Sequence, residues 1–174
     1  MASFSPDTAA AAAPLSFDWS QDGGREVVDA ARCTALLAGA TARLNAPLSA
    51  ATRVVLCNKS VTSGAVPELA AALGCMTSVT DADLSDMIAS RPEAEALEVL
   101  RGCCEALASR ELRTLDLSDN ALGQKGIDAC KGVLHEQDSL ASVKFCNNGI
   151  SAESAASIAD ILLYVTCRYY CYYY

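Results

Sequence analysis

Two hydrophobic rhythms alternate along the chain. In "LRTLDLSDNALG", apolar residues fall at Leu112, Leu115, Leu117 and Leu122 around an Asp-Asn pair, the spacing of a short strand running into a turn. Directly after it, Ile127, Cys130, Val133 and Leu134 recur at helical spacing, which predicts an amphipathic helix with one buried face. Leu112 to Leu134 thus encodes a strand, a turn and a helix in succession.

The unit recurs. Shifting it forward by about 28 residues lays it on "LASVKFCNNGIS", matching Leu112 with Leu140, Leu115 with Val143, Leu117 with Phe145, Asn120 with Asn148 and Leu122 with Ile150. Shifting it backward reaches "VTDADLSDMIAS" after a slightly longer interval, with Leu84 in the place of Leu117 and the helical stretch "PEAEALEVLRGCCEAL" behind it. A further step back, "TRVVLCNKSVTSGAVPELAAAL" puts Leu56 in the same role. The pattern L-x-x-L-x-L-x-x-N-x-L followed by a helix is that of a long, helix-bearing leucine-rich repeat. The expected fold is therefore α/β: a leucine-rich repeat solenoid, a horseshoe arc with parallel inner strands and outer helices, of about four repeats over residues 51–163. Asn120 and Asn148 are expected to form a structural ladder, their amides turned inward to satisfy backbone groups that stacking buries. Lys59 falls at the same register, where a buried charge is costly, so the first repeat reads as irregular.

Ahead of the repeats, residues 17–50 are read as an N-terminal strand–helix cap for the stack. Phe17 and Trp19 alternate as in a strand, Gly23-Gly24 marks a turn, and a helix is expected to carry Val27, Val28, Ala31 and Leu36 on one side. Residues 1–16, small, polar and Ala-rich, read as a disordered leader. At the other end, residues 164–174, "YVTCRYYCYYY", are expected to continue neither helix nor repeat and to form a disordered tail or to reflect a misread gene model.

Composition narrows the function. A net charge of −8 without any Lys/Arg cluster argues against a nucleic-acid surface. Nine cysteines are scattered, with Cys33, Cys103, Cys104 and Cys130 at apolar helical positions, so they read as reduced core thiols. With no Cys-x-x-Cys pair and His135 as the single histidine, no metal site is expected. Cys146 lacks a histidine base, which disfavours a thiol nucleophile. No Gly-x4-Gly-Lys-Ser/Thr loop is present, so no nucleotide site and no cofactor are expected. The apolar run "ILLYV" is too short for membrane insertion.

The segments "FDWSQDGGREVVDA", "DLSDMIASRPEAEALEVL", "LRTLDLSDNALGQKGIDA" and "NNGISAESA" resemble, in this order, the N-terminal part of the Ran GTPase-activating proteins, most closely those of plants and algae, over Phe17 to Leu163. The resemblance implies a protein that stimulates GTP hydrolysis by the small GTPase Ran in its GTP-bound form, in the service of nucleocytoplasmic transport. Such a protein is a regulator with no nucleotide site of its own, which leaves open whether it counts as an enzyme. The resemblance further implies that the activator orders the GTPase's own catalytic glutamine through an asparagine of a repeat turn. That asparagine corresponds to Asn147 here, as the catalytic residue, with Arg91 and Asn120 as GTPase-binding residues and Arg91 exposed. The implied location is the cytoplasm or the nuclear envelope. Fewer repeats than in the family and no Trp-Pro-Pro motif suggest a truncated fragment. The alternative is a leucine-rich repeat protein-binding module or scaffold without GTPase-activating activity.

Overall fold

The computed structural model describes residues 13–135 and 137–171, and side chains as far as Leu163. Of the expected leader, residues 1–12 lie outside the described residues, as do 172–174 of the tail. The strands are β1 (Ser16–Asp18), β2 (Val27–Val28), β3 (Arg53–Val55), β4 (Ser60–Val61), β5 (Asp81–Asp83), β6 (Thr114–Asp116) and β7 (Ser142–Lys144). The helices are α1 (Ala30–Leu44), α2 (Val66–Cys75), α3 (Glu93–Ala108), α4 (Gly123–His135) and α5 (Ala152–Cys171).

Five strands form one parallel sheet in the order β1-β3-β5-β6-β7, and β2 pairs with β4 in a separate two-stranded ribbon. Strand length follows from the pattern: each strand inserts one residue, Phe17, Val54, Ala82, Leu115 or Val143, between two that face away from the helices. The next inward residues, Trp19, Leu56, Leu84 and Leu117, are fully buried. Helices close the other face, each packed on the next from α1 to α5. In α4 the predicted stripe of Ile127, Cys130, Val133 and Leu134 is buried, and in α3 Val99, Leu100, Cys103 and Leu107 repeat the same geometry. The arrangement is compatible with the leucine-rich repeat fold.

Contacts across the stack give its spacing: 28 residues from Thr52 to Thr80, 33 from Asp81 to Thr114 and 28 from Ser118 to Cys146. The longer step holds the turn "MIASRP" before α3, which ends at Pro92 because proline opens a helix readily but cannot continue one. At the far end β7 is the sheet's edge, and Leu140, Val143, Phe145, Ile150 and Ile158 are only partly buried where their counterparts inside the stack are enclosed.

Three expectations are corrected. Val27 and Val28 are not helical: they form β2, because Val27 pairs with Ser60 and Val28 with Val61. The helix begins after Asp29, whose carboxylate accepts the Arg32 N–H at 2.8 Å as an N-cap, and its buried face is Cys33, Leu36, Ala40 and Leu44, with Ala31 exposed. The backbone of α5 continues through residues 164–171, so the tail extends a helix where a break was expected.

Lys59 is the third. Its side chain is fully buried at the ladder register, yet its ammonium donates to the carbonyls of Gly24 at 2.7 Å and of Asp22 and Gly23 at 3.2 Å, and to Glu26 Oε1 at 3.1 Å. A three-donor cation thus satisfies the Gly-Gly turn of the cap, and the carboxylate balances its charge. Arg32 holds the same carboxylate by two bonds of 2.8 Å. Hydrogen bonding from Arg32, reinforced by Lys59 against the opposing effect of burial, pulls the Glu26 carboxyl down to about 2.

Candidate functional site

Strands β3, β5, β6 and β7 each end in a turn whose third residue past the strand is an Asn or Asp with positive φ: Asn58 at 59°, Asp86 at 51°, Asp119 at 61° and Asn147 at 53°. The left-handed region is strained for most side chains but tolerated by Asn and Asp, whose short polar groups bond locally. The kink sends this residue toward the rim of the stack and turns its neighbour inward. Asp119 and Asn147 are exposed, whereas Asn120 and Asn148 are 3% and 2% exposed.

The two buried amides form a continuous chain. Asn120 Oδ1 accepts the Met87 N–H at 3.0 Å, and its Nδ2 donates to the carbonyls of Leu84 at 2.8 Å and of Leu117 and Ser118 at 3.1 Å. Asn148 Oδ1 accepts the Asn120 N–H and its Nδ2 donates to Leu117 O, both at 2.8 Å. Asn120 was read both as ladder residue and as partner contact. Its side chain is consumed by these bonds, so the exposed group of that turn is Asp119.

Asn147 Nδ2 donates to Asp119 Oδ1 at 2.9 Å. A carboxylate can only accept, so the amide nitrogen must face Asp119, which leaves the amide oxygen as the other polar group of this exposed side chain. The rim is laced further by an ion pair between Arg25 of the cap and Asp86.

Arg91 lies beside this rim but is not the exposed arginine that was expected. Only 18% of its side chain is accessible, and its nearest carboxylate oxygen, Glu95 Oε2, is 3.8 Å away. Glu95 is drawn off by the Ser63 N–H, which its other oxygen accepts at 3.0 Å. Arg91, Glu93, Leu97, Asp119, Ala121 and Lys125 help to line a groove of about 420 Å³ between the start of α3 and the turn after β6. The structure therefore brings Arg91, Asp119 and Asn120 to one groove, with the Asn120 amide engaged in the ladder, and Asn147 joins it through its bond to Asp119. Asp119 was missed as a site residue. Its signal was the register it shares with Asn58, Asp86 and Asn147 in "CNK", "SDM", "SDN" and "CNN".

The core thiols offer no competing chemistry. Burial raises the Cys103 thiol to about 12 and that of Cys33 to about 11, which keeps both protonated. Among the described residues, no helix is long and apolar enough to cross a membrane.

The class these features define is structural: an α/β stack of parallel strands and helices, with an asparagine ladder inside and a polar rim that includes Asp119 and Asn147 outside. No family model matches the chain. Among curated proteins, Ran GTPase-activating protein 1 of Arabidopsis thaliana is 43% identical over 95 residues, 54% of this chain and 18% of that relative. Ran GTPase-activating protein 2 of the same plant is 40% identical over 98 residues, 56% of this chain and 18% of the relative. The chain is thus similar to the Ran GTPase-activating proteins, and the match spans less than a fifth of the length of either relative.

Proposed function

We propose that this chain stimulates GTP hydrolysis by Ran in its GTP-bound form, the partner supplying the nucleotide and the attacking water. In this reading the strand–helix units are an arc of about four leucine-rich repeats behind an N-terminal cap, and the rim of the strand-end turns faces the GTPase. The observation that carries the reading is Asn147: exposed on the rim and held through its amide nitrogen by Asp119 at 2.9 Å, in a chain similar to named Ran activators. In small GTPases a glutamine of the GTPase orients the attacking water. An amide fixed on the rim can accept from that glutamine's N–H and hold it in the orientation that hydrolysis needs, with no charge of its own to add.

The test is single-turnover hydrolysis by GTP-loaded Ran with wild-type chain and with Asn147→Gly. Glycine is the informative replacement, because it removes the side chain yet tolerates a φ of 53°, whereas alanine would add backbone strain. Wild type is expected to accelerate hydrolysis, and Asn147→Gly to lose most of the acceleration while keeping most of the affinity, the signature of a contact made in the transition state. Full acceleration by Asn147→Gly would refute the assignment. The short span of the match, 18% of each relative, favours as second reading a repeat-type binding module that holds a partner without stimulating it. Binding of Ran without acceleration by the wild type would select that reading.

A further inference from the structure

Asn147 carries the proposed activity on an exposed side chain, and an exposed amide has two senses. A half-turn about its last side-chain bond exchanges oxygen and nitrogen at little cost, so an unrestrained asparagine offers a partner a donor as readily as an acceptor. The bond from Asn147 Nδ2 to Asp119 Oδ1 at 2.9 Å removes that symmetry. A carboxylate accepts and does not donate, so only the sense with nitrogen toward Asp119 keeps the bond, and the negative charge strengthens it.

The turns that carry the pair are themselves fastened through the neighbouring residues. The Asp119 N–H donates to the Cys146 carbonyl at 2.9 Å, and Ser118 Oγ accepts the Cys146 N–H at 3.1 Å. The other carboxylate at this register, Asp86, is engaged by Arg25 of the cap, and the remaining position is an amide, Asn58. An amide in the place of Asp119 would accept from the Asn147 nitrogen or donate to its oxygen equally well. Only a carboxylate there imposes one sense.

We infer that Asp119 is a positioning residue: it fixes the Asn147 amide in the sense that presents oxygen to the N–H of the GTPase's glutamine. The inference rests on the proposed function and deepens it, adding a residue that acts through Asn147 rather than by its own contact with the GTPase. An amide set in advance does not have to be sorted between two senses when the reaction begins, so loss of the tether falls on rate more than on affinity.

The test uses Asp119→Gly and Asp119→Asn, both of which tolerate a φ of 61°, and Asp119→Gly combined with Asn147→Gly. In single-turnover hydrolysis by GTP-loaded Ran at saturating chain, Asp119→Gly is expected to lower the rate about tenfold. Asp119→Asn should lower it about twofold, because half of its pairings put the Asn147 nitrogen where the oxygen belongs. Affinity for Ran loaded with a non-hydrolysable GTP analogue should change less than about threefold in either variant. In the Asn147→Gly background, Asp119→Gly should do nothing further, since no amide remains to orient; a purely structural role would not show this non-additivity. Without Ran, nuclear magnetic resonance should find the Asn147 side-chain amide protons slower to exchange with solvent in the wild type than in Asp119→Gly.

Wild-type rate in Asp119→Gly, or an equal loss from Asp119→Gly with and without the Asn147 side chain, would overturn the positioning role and leave the Asn147 assignment to its own test. Equal amide exchange in wild type and Asp119→Gly would overturn it as well. A wild-type chain whose Asn147 amide is protected but which fails to accelerate hydrolysis would overturn the activator reading, and this role with it. Should Asp119→Gly fail to fold, Asp119→Asn decides by the same rate and non-additivity criteria.

Discussion

Replacing Asn120 by alanine deletes four hydrogen bonds, but they do not count equally. Leu117 O retains the Asn148 amide, and Ser118 O retains the Asp86 N–H at 3.0 Å. The Met87 N–H and the Leu84 carbonyl are the groups left buried with nothing to bond. At about 1–3 kcal/mol for each orphaned group, Asn120→Ala should cost about 2–6 kcal/mol, a large share of a small domain's stability. Asn148→Ala orphans only the Asn120 N–H and should cost about 1–3 kcal/mol. Asn147→Gly, which breaks one exposed bond to Asp119 and keeps the φ its position requires, should cost under about 1 kcal/mol. Urea unfolding followed by circular dichroism gives all three as shifts in midpoint at constant slope. The order Asn120 > Asn148 > Asn147 is the prediction. If Asn148→Ala proves as costly as Asn120→Ala, or Asn147→Gly as costly as either, the accounting by orphaned groups is wrong.

Three more perturbations probe the frame that carries the rim. Lys59→Met keeps the buried stem but leaves the carbonyls of Gly23 and Gly24 without donors, and should destabilise by about 3 kcal/mol; hydrogen exchange should show faster loss of protection at the Asp22 and Ser60 amides, which anchor the cap loop. Glu26 has a folded-state value of about 2 against an ordinary 4.5, so its contribution is complete above pH 4.5 and lost as pH falls toward 2; acid unfolding of Glu26→Gln should be flatter across that window than that of wild type. Gly102→Ala would set a methyl 2.4 Å from Val66 Cγ1, and because valine is stiff at χ1 the overpacking, about 1–3 kcal/mol, should outweigh alanine's better helix propensity; adding Val66→Ala should recover part of the loss in a double-mutant cycle.

How much of this could be read from the chain depends on where each residue's partners lie. The apolar register, the helical stripe of α4 and the inward direction of Asn120 and Asn148 were legible, because a repeating unit packs against copies of itself and one periodicity specifies both sides of the contact. The rim residue Asn147 followed from the same register, aided by the family resemblance. Other features depend on pairs that no local rhythm encodes. Val27 and Val28 look helical beside Ala30, but Ser60 and Val61, more than thirty residues away, draw them into a strand. Lys59 looks like a defect of the ladder until the Gly23-Gly24 turn folds over it and supplies three carbonyls.

Arg91 looks exposed in "ASRP", and only the path of α3 past the 63–65 turn, with Glu95 captured by Ser63, decides that it is half-buried and underpaired. The amino-acid sequence by itself determined the stacking, since burying a recurrent apolar face has one economical solution. Tertiary structure alone decided which polar groups were left satisfied, tethered or wanting a partner. Hydrogen bonds and ion pairs are short-ranged and directional, and their partners here stand some thirty residues apart in the chain, 28 between Asp119 and Asn147 and 32 between Ser63 and Glu95.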